Sequence, residues 1–272
     1  MMKILRSYAA LILASLGISL PGSASTFNVD YTDLWYASPA ESQAGWGVNV
    51  IQQNDILFVT LFVFGPDNAS HWYVASNVNS TGINTFSGEL FNVGVGSYFG
   101  APWTGISGIQ KVGNIAFTFS TATTGTLVYT VNNVQIAKNI VRQGWKNEVL
   151  TGNYLGGTTA IGSTCPGDGS VLIWGALTVT HNQPNISMTV DFLSSGQQGR
   201  CTYNGSYSQV GSLGAIDAGT YSCNIGGTAN VVFGTFSVSE MRSTRNGFNG
   251  RIDGTTQHCS YSGYFGGIRD VF

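Results

Sequence analysis

The chain has 272 residues, 9% of them charged, and a formal net charge of −2. Lysines and arginines are scattered along the sequence, so there is no basic face of the kind a nucleic-acid binder needs. With 37 glycines, 12% aromatics and many Thr, Val, Ser and Asn, the composition suits strands and frequent turns; outside the first 25 residues no sustained apolar period of 3.6 appears. An all-β class follows.

The N-terminus carries the layout of a secretory signal peptide: a basic MMKILRS, an apolar run Tyr8–Leu20, and the small residues PGSAS. The run falls short of the roughly 20 residues a membrane-spanning helix needs. Expected divisions are a signal at 1–25, an N-terminal β domain at 26–147 and a C-terminal β domain at 148–272.

In chain order, strands are expected near Phe27–Tyr36, Trp46–Gln53, Ile56–Phe64, His71–Ser76, Thr85–Phe91, Asn114–Ser120, Thr126–Asn132 and Val134–Trp145. The intervening FGPDNAS, STATTGT and TVNNVQ are hairpin connections. Such spacing implies an antiparallel meander that closes into one or two small barrels or sandwiches. A faint internal likeness between NDILFVTLFVF…HWYVAS and GNIAFTFS…TLVYTV leaves a propeller-like ring open as well. The segment ILFVTLFVF is apolar on both faces of its strand, so it must be covered on both sides or bind something, and covering is the simpler expectation.

All four cysteines lie in the second half, at 165, 201, 223 and 259, with intervals of 36, 22 and 36. WGALTVT (Trp174–Thr180) matches FGTFSVS (Phe233–Ser239), CTYNGSY (Cys201–Tyr207) matches CSYSGYF (Cys259–Phe265), and a Gly-x-Tyr precedes each unit. These correspondences argue for a duplicated unit of about 58 residues. In an exported chain an even cysteine set implies disulfides. Duplication favours a bond inside each unit, Cys165–Cys201 and Cys223–Cys259, with other pairings left open. No Cys-x-x-Cys is present, and neither a metal nor a cofactor is expected.

DLWYASPAESQAGWGVNV followed by ILFVTLFVFGPDNASHWYVAS resembles an uncharacterised β domain that recurs in secreted bacterial proteins. The residues carrying the pattern are Trp35, Tyr36, Pro39, Glu41, Ser42, Gly45, Trp46, Gly47, Phe58, Phe62, Asp67, Trp72 and Tyr73. The resemblance implies secretion and a β fold and brings no activity with it. This chain departs from the pattern by inserting Gln43 and Ala44 and by placing NAS where Gly-Arg-Pro is usual.

Among chemical candidates, Glu41 with the Asp30/Asp33 pair is the densest acidic group near aromatics and the basis for a hydrolase reading; turn and edge-strand roles are the simpler account. No Gly-x-Ser-x-Gly elbow is present, and His71, His181 and His258 have the settings of turn, loop and surface residues. The aromatics Trp35, Tyr36, Trp46, Trp72 and Tyr73 are the ligand-binding candidates, since rings beside Asn and Gln suit sugar stacking or an apolar pocket. The resulting expectation is a secreted, non-enzymatic scaffold for a glycan or small apolar ligand. A structural or surface-assembly role is the alternative. An outer-membrane barrel, suggested by the final Phe272, fits poorly because Asp270 falls where an apolar residue should alternate.

Overall fold

A computed structural model describes residues 29–162, 165, 167, 169–227 and 231–270. The expected signal at 1–25 and Phe272 lie outside them. The first eight-stranded wall is built from β1 (Asp33–Ala37), β2 (Gly47–Gln53), β3 (Ile56–Phe64), β4 (Ser70–Gly82) and β5 (Thr85–Asn92). A small two-stranded hairpin, β6 (Val95–Gly96) and β7 (Ile106–Ser107), interrupts it before β8 (Gln110–Phe119), β9 (Thr124–Val131) and β10 (Val134–Arg142). Each strand pairs antiparallel with its neighbour, and β1 pairs with β10 to close a barrel. All eight strands expected in this half are present. Asn132 and Asn133, both at positive φ (48° and 68°), form the two-residue turn between β9 and β10.

A second barrel follows: β11 (Gly152–Gly162), β12 (Ser170–Asn182), β13 (Asn185–Ser194), β14 (Gln197–Val210), β15 (Leu213–Ile225), β16 (Val231–Thr244), β17 (Gly247–Thr256) and β18 (Ser260–Arg269). Here β11 pairs with β18 to close the ring. The sequence repeat maps onto β11–β14 and β15–β18, four strands each. Of the architectures compatible with the sequence, two closed barrels is the observed one.

Alternation at period two fills both interiors. Trp35, Leu57, Leu61, Phe86, Phe117 and Leu127 point into the first barrel, and Tyr203, Tyr221, Phe236 and Phe265 into the second. The Tyr31 and Phe119 rings stack at 3.7 Å between centroids near the end of the first core. Desolvation pushes the buried Tyr203 phenol up to about 12, and its hydroxyl lies 3.2 Å from Thr158 Oγ1. The inward side chains of each barrel form one buried cluster.

The disulfides are Cys165–Cys259 and Cys201–Cys223, correcting the expected bonds inside each repeat. The reason is closure. The first and last strands of one four-stranded unit stand three strand spacings apart, about 14 Å, beyond the reach of a disulfide. Ring order instead sets β14 against β15, where Cys201 and Cys223 are direct cross-strand partners, and β18 against β11. The two bonds are equivalent under the duplication, but both join one unit to the other. Two disulfides fit an oxidising compartment, outside the cell or in the periplasm.

Between the barrels, His181 in β12 organises the linker. Leu150 N–H donates to its Nδ1 at 3.3 Å, which fixes the neutral tautomer with the proton on Nε2. Burial holds its pKa below the usual histidine value. The unfolded chain therefore takes up a proton near pH 6.5 that the folded protein refuses, and stability falls as pH drops through that value toward the folded pKa. Urea midpoints at pH 7.5 and 5.5 are expected to differ by the loss one proton allows, at most about 1.4 kcal/mol per pH unit. His181→Asn, which keeps an acceptor for Leu150 and does not titrate, is expected to remove that histidine's share of the difference.

Candidate functional site

The doubly apolar strand β3 decides where the accessible aromatics lie. Its Leu57, Val59 and Leu61 fill the barrel, while Ile56, Phe58, Thr60, Phe62 and Phe64 face outward. The expectation that both faces are covered is overturned: no element of the described residues packs over the outer one. A barrel wall built by a meander has nothing outside it unless a loop or helix returns, and among the described residues none returns over this face.

Register turns this wall into a surface. Phe62 pairs with Gly47 on one side and Trp72 on the other, so the two rings stand next to each other with bare backbone beside them. Phe58 pairs with Ile51, and between these rows run Asn49, Thr60 and Val74. Trp72 is 53% exposed and Phe62 45%. At the edge, the Phe64 ring lies over Gly45, where an added Cβ would come within 2.6 Å of it and φ is +88°. Glycine is needed there on both counts. The turn after β3 closes with Gly65 N–H donating to the Ala69 carbonyl at 2.9 Å. Asp67, held below the usual carboxylate range chiefly by the Ala69 N–H and then by His71, lies 3.0 Å from His71 Nε2. The result is an open wall of rings with an amide, a hydroxyl and the hydrogen-bonded Asp67–His71 pair at its rim.

Of the five aromatics singled out in the sequence, Trp72 alone is fully displayed. Trp35 is wholly buried, with the Arg142 guanidinium 5.0 Å from its ring. Trp46 is buried at the barrel end, donating from Nε1 to the Tyr129 hydroxyl at 3.1 Å. Tyr73 points into the core, and Tyr36 is half-buried with its hydroxyl accepting from Gln143 Nε2. Phe62 completes the wall; the signal for it was the double-faced pattern of β3.

The three carboxylates do not converge. Glu41 sits exposed in the turn after β1 at φ 63°, whereas Asp33 begins β1, whose far end, about 13 Å on at 3.3 Å per residue, leads into that turn. Asp33 Oδ2 accepts from Arg142 (3.1 Å) and, across the barrel boundary, from Ser212 N–H (2.9 Å) and Oγ (2.8 Å). The Asp30 carbonyl accepts from Arg142 (2.5 Å) and Arg242 (2.8 Å), and its carboxylate lies 3.4 Å from Arg242. Segment 30–33 is thus a latch between the two barrels, with its acids neutralised by arginine.

The second barrel displays a different aromatic. Cross-strand pairing lines up Trp174, Gly157, Gly266, Asn249 and Arg242 in one row, flooring a cleft of about 450 Å³ on the outer wall. A Cβ at Gly157 would lie 1.9 Å from the Ile173 carbonyl, so close strand approach dictates that glycine.

No family model matches the chain, and no curated protein is similar to it, so the pattern from Trp35 to Tyr73 stands on its residues alone. Among solved structures, the crystal structure of the isotype 1 transferrin binding protein B from serogroup B Neisseria meningitidis is similar at 10% identity. The match covers 88% of this chain and 56% of that one, with a TM-score of 0.23. This chain therefore spans just over half the length of that protein.

Proposed function

We propose that the protein is an exported, non-catalytic β scaffold that binds a glycan or a small apolar ligand on the outer aromatic wall of its first barrel. The observation that carries the reading is the uncovered pair Phe62 and Trp72, side by side on paired strands. Aromatic faces in such a row stack on the C–H faces of a sugar ring or cover an apolar molecule, and Asn49 and Thr60 supply polar partners between the rings. The inward side chains of both barrels form buried clusters, which favours the outer wall, and Asp30 and Asp33 are paired with arginine rather than held free beside Glu41. The signal-like N-terminus and the two disulfides support export.

Outward residues elsewhere, such as Thr126 and Thr130 on β9 and Arg200, Thr202 and Asn204 on β14, lack the continuous apolar band of an outer-membrane barrel. Titration of tryptophan fluorescence with soluble glycans and apolar ligands tests the reading. A saturable shift is expected. Trp72→Ala should weaken binding by about tenfold or more, the worth of one buried ring, with an unchanged melting temperature. A full panel without any shift, or equal affinity in the variant, would overturn it. Concentration-dependent self-association lost in the same variant would favour the surface-assembly alternative.

A further inference from the structure

The hairpin β6–β7 carries a second, independent surface. From Leu90 to Gln110 the chain runs twenty-one residues without one charged side chain. Its excursion between β5 and β8 exposes Phe99 completely (103%), with Tyr98 at 67%, Trp103 at 71% and Val95 at 73%. Soluble surfaces do not normally leave a phenylalanine bare between two other large exposed rings; contiguous exposed apolar groups mark an interaction site. The excursion springs from the end of β5 and the start of β8. That end of the barrel is opposite the one where β1 begins and β10 finishes against the second barrel. Among the described residues, the hydrogen bonds from Ser212 and Arg242 to segment 30–33 tie the second barrel to that other end.

We propose that this hairpin docks the protein onto a lipid surface by sinking Tyr98, Phe99 and Trp103 into the interfacial zone of a zwitterionic bilayer, without spanning it. Two features favour lipid over a protein partner. First, the hairpin offers no charge with which to select a protein surface or an anionic headgroup. The charges that flank it in sequence, Lys111 and Glu89, pair with each other at its base at 2.6 Å. Second, part of its backbone is already paired within the hairpin. Thr104 N–H donates to Ser97 Oγ (2.9 Å), Ala101 N–H to the Tyr98 carbonyl (2.9 Å) and Gly94 N–H to Asn92 Oδ1 (3.2 Å), while the short β6–β7 ladder pairs its stem. Burial in a low-dielectric phase penalises unpaired backbone groups, and these bonds lower that penalty at the stem and flanks, which suits shallow insertion into the hydrated interfacial zone. Tryptophan and tyrosine are the residues favoured at the headgroup boundary, and phenylalanine at the tip reaches beyond them.

The test is co-sedimentation with phosphatidylcholine vesicles, alongside tryptophan emission. Wild type is compared with Phe99→Ser/Trp103→Ser, both carrying the same N-terminus so that residues 1–25 contribute equally. Wild type is expected to partition with a blue shift that persists in about 0.5 M salt, where charge attractions are screened within a few ångströms. Each ring removed is expected to cost about tenfold in partitioning. Unchanged circular dichroism and melting show that the variant folds; if it does not, Phe99→Ser alone replaces it. The proposal is overturned if wild type stays with the supernatant or the variant partitions equally. It is overturned too if binding needs anionic lipid and vanishes with salt, or if the hairpin instead drives dimerisation without vesicle binding. Trp72→Ala is expected to partition like wild type, which separates this surface from the ligand wall.

Discussion

Replacing Arg142 with methionine is expected to destabilise the protein by about 3–5 kcal/mol, the usual cost of removing one partner from a buried ion pair. Its side chain is completely buried between the barrels, against Asp33 at 14% exposure. Burial pulls its pKa below the ordinary arginine value, with Asp33 opposing the shift, yet the group stays charged. The guanidinium donates to four oxygens: the carbonyls of Ala122, Thr32 and Asp30, and Asp33 Oδ2. Methionine fills similar volume but takes the donor from the Ala122 and Thr32 carbonyls, leaves the Asp30 carbonyl with Arg242, and leaves the Asp33 carboxylate with only the Leu34 N–H and Ser212. Lysine is expected to restore little, because a single ammonium cannot reach a forked set of acceptors. Denaturant unfolding of the R142M, R142K and D33N chains, with the R142M/D33N pair, measures the coupling. A loss below about 1 kcal/mol for R142M would show that the latch is incidental.

Loss of the Cys165–Cys259 bond, through alanine at both positions, is expected to cost about 4–5 kcal/mol. Loss of Cys201–Cys223 should cost somewhat less, about 3–4 kcal/mol. On the chain-entropy account the cost grows with the length of chain enclosed, here separations of 94 and 22 residues. The longer bond also ties β18 to the end of β11, the seam on which closure depends. All four cysteines are in the second half, so reductant should shift only the unfolding transition of the second barrel. Thermal melts of the two double-alanine chains, with and without reductant, check the ranking. Non-reducing peptide mapping should recover Cys165 joined to Cys259; recovery of Cys165 with Cys201 would contradict the strand order.

The strands themselves were legible because alternation and turn chemistry are local. ILFVTLFVF declares a strand by its β-branched and aromatic content, and NN between Val131 and Val134 declares the turn that follows β9. The duplication was legible too, since matched segments keep their order whatever they pair with. Tyr98 and Phe99 give no signal in the sequence because a glycine-rich connection carries no period to read.

What the sequence by itself determined was the all-β class, the strands of the first barrel, the duplication within the second and the absence of a basic face. The tertiary structure decided which cysteines meet, which face of β3 stays bare, and that Asp30 and Asp33 serve the seam between the barrels. These outcomes share one cause. They depend on which distant strands become neighbours when a sheet closes on itself, and a pattern with period two says which side a residue faces without saying what stands there.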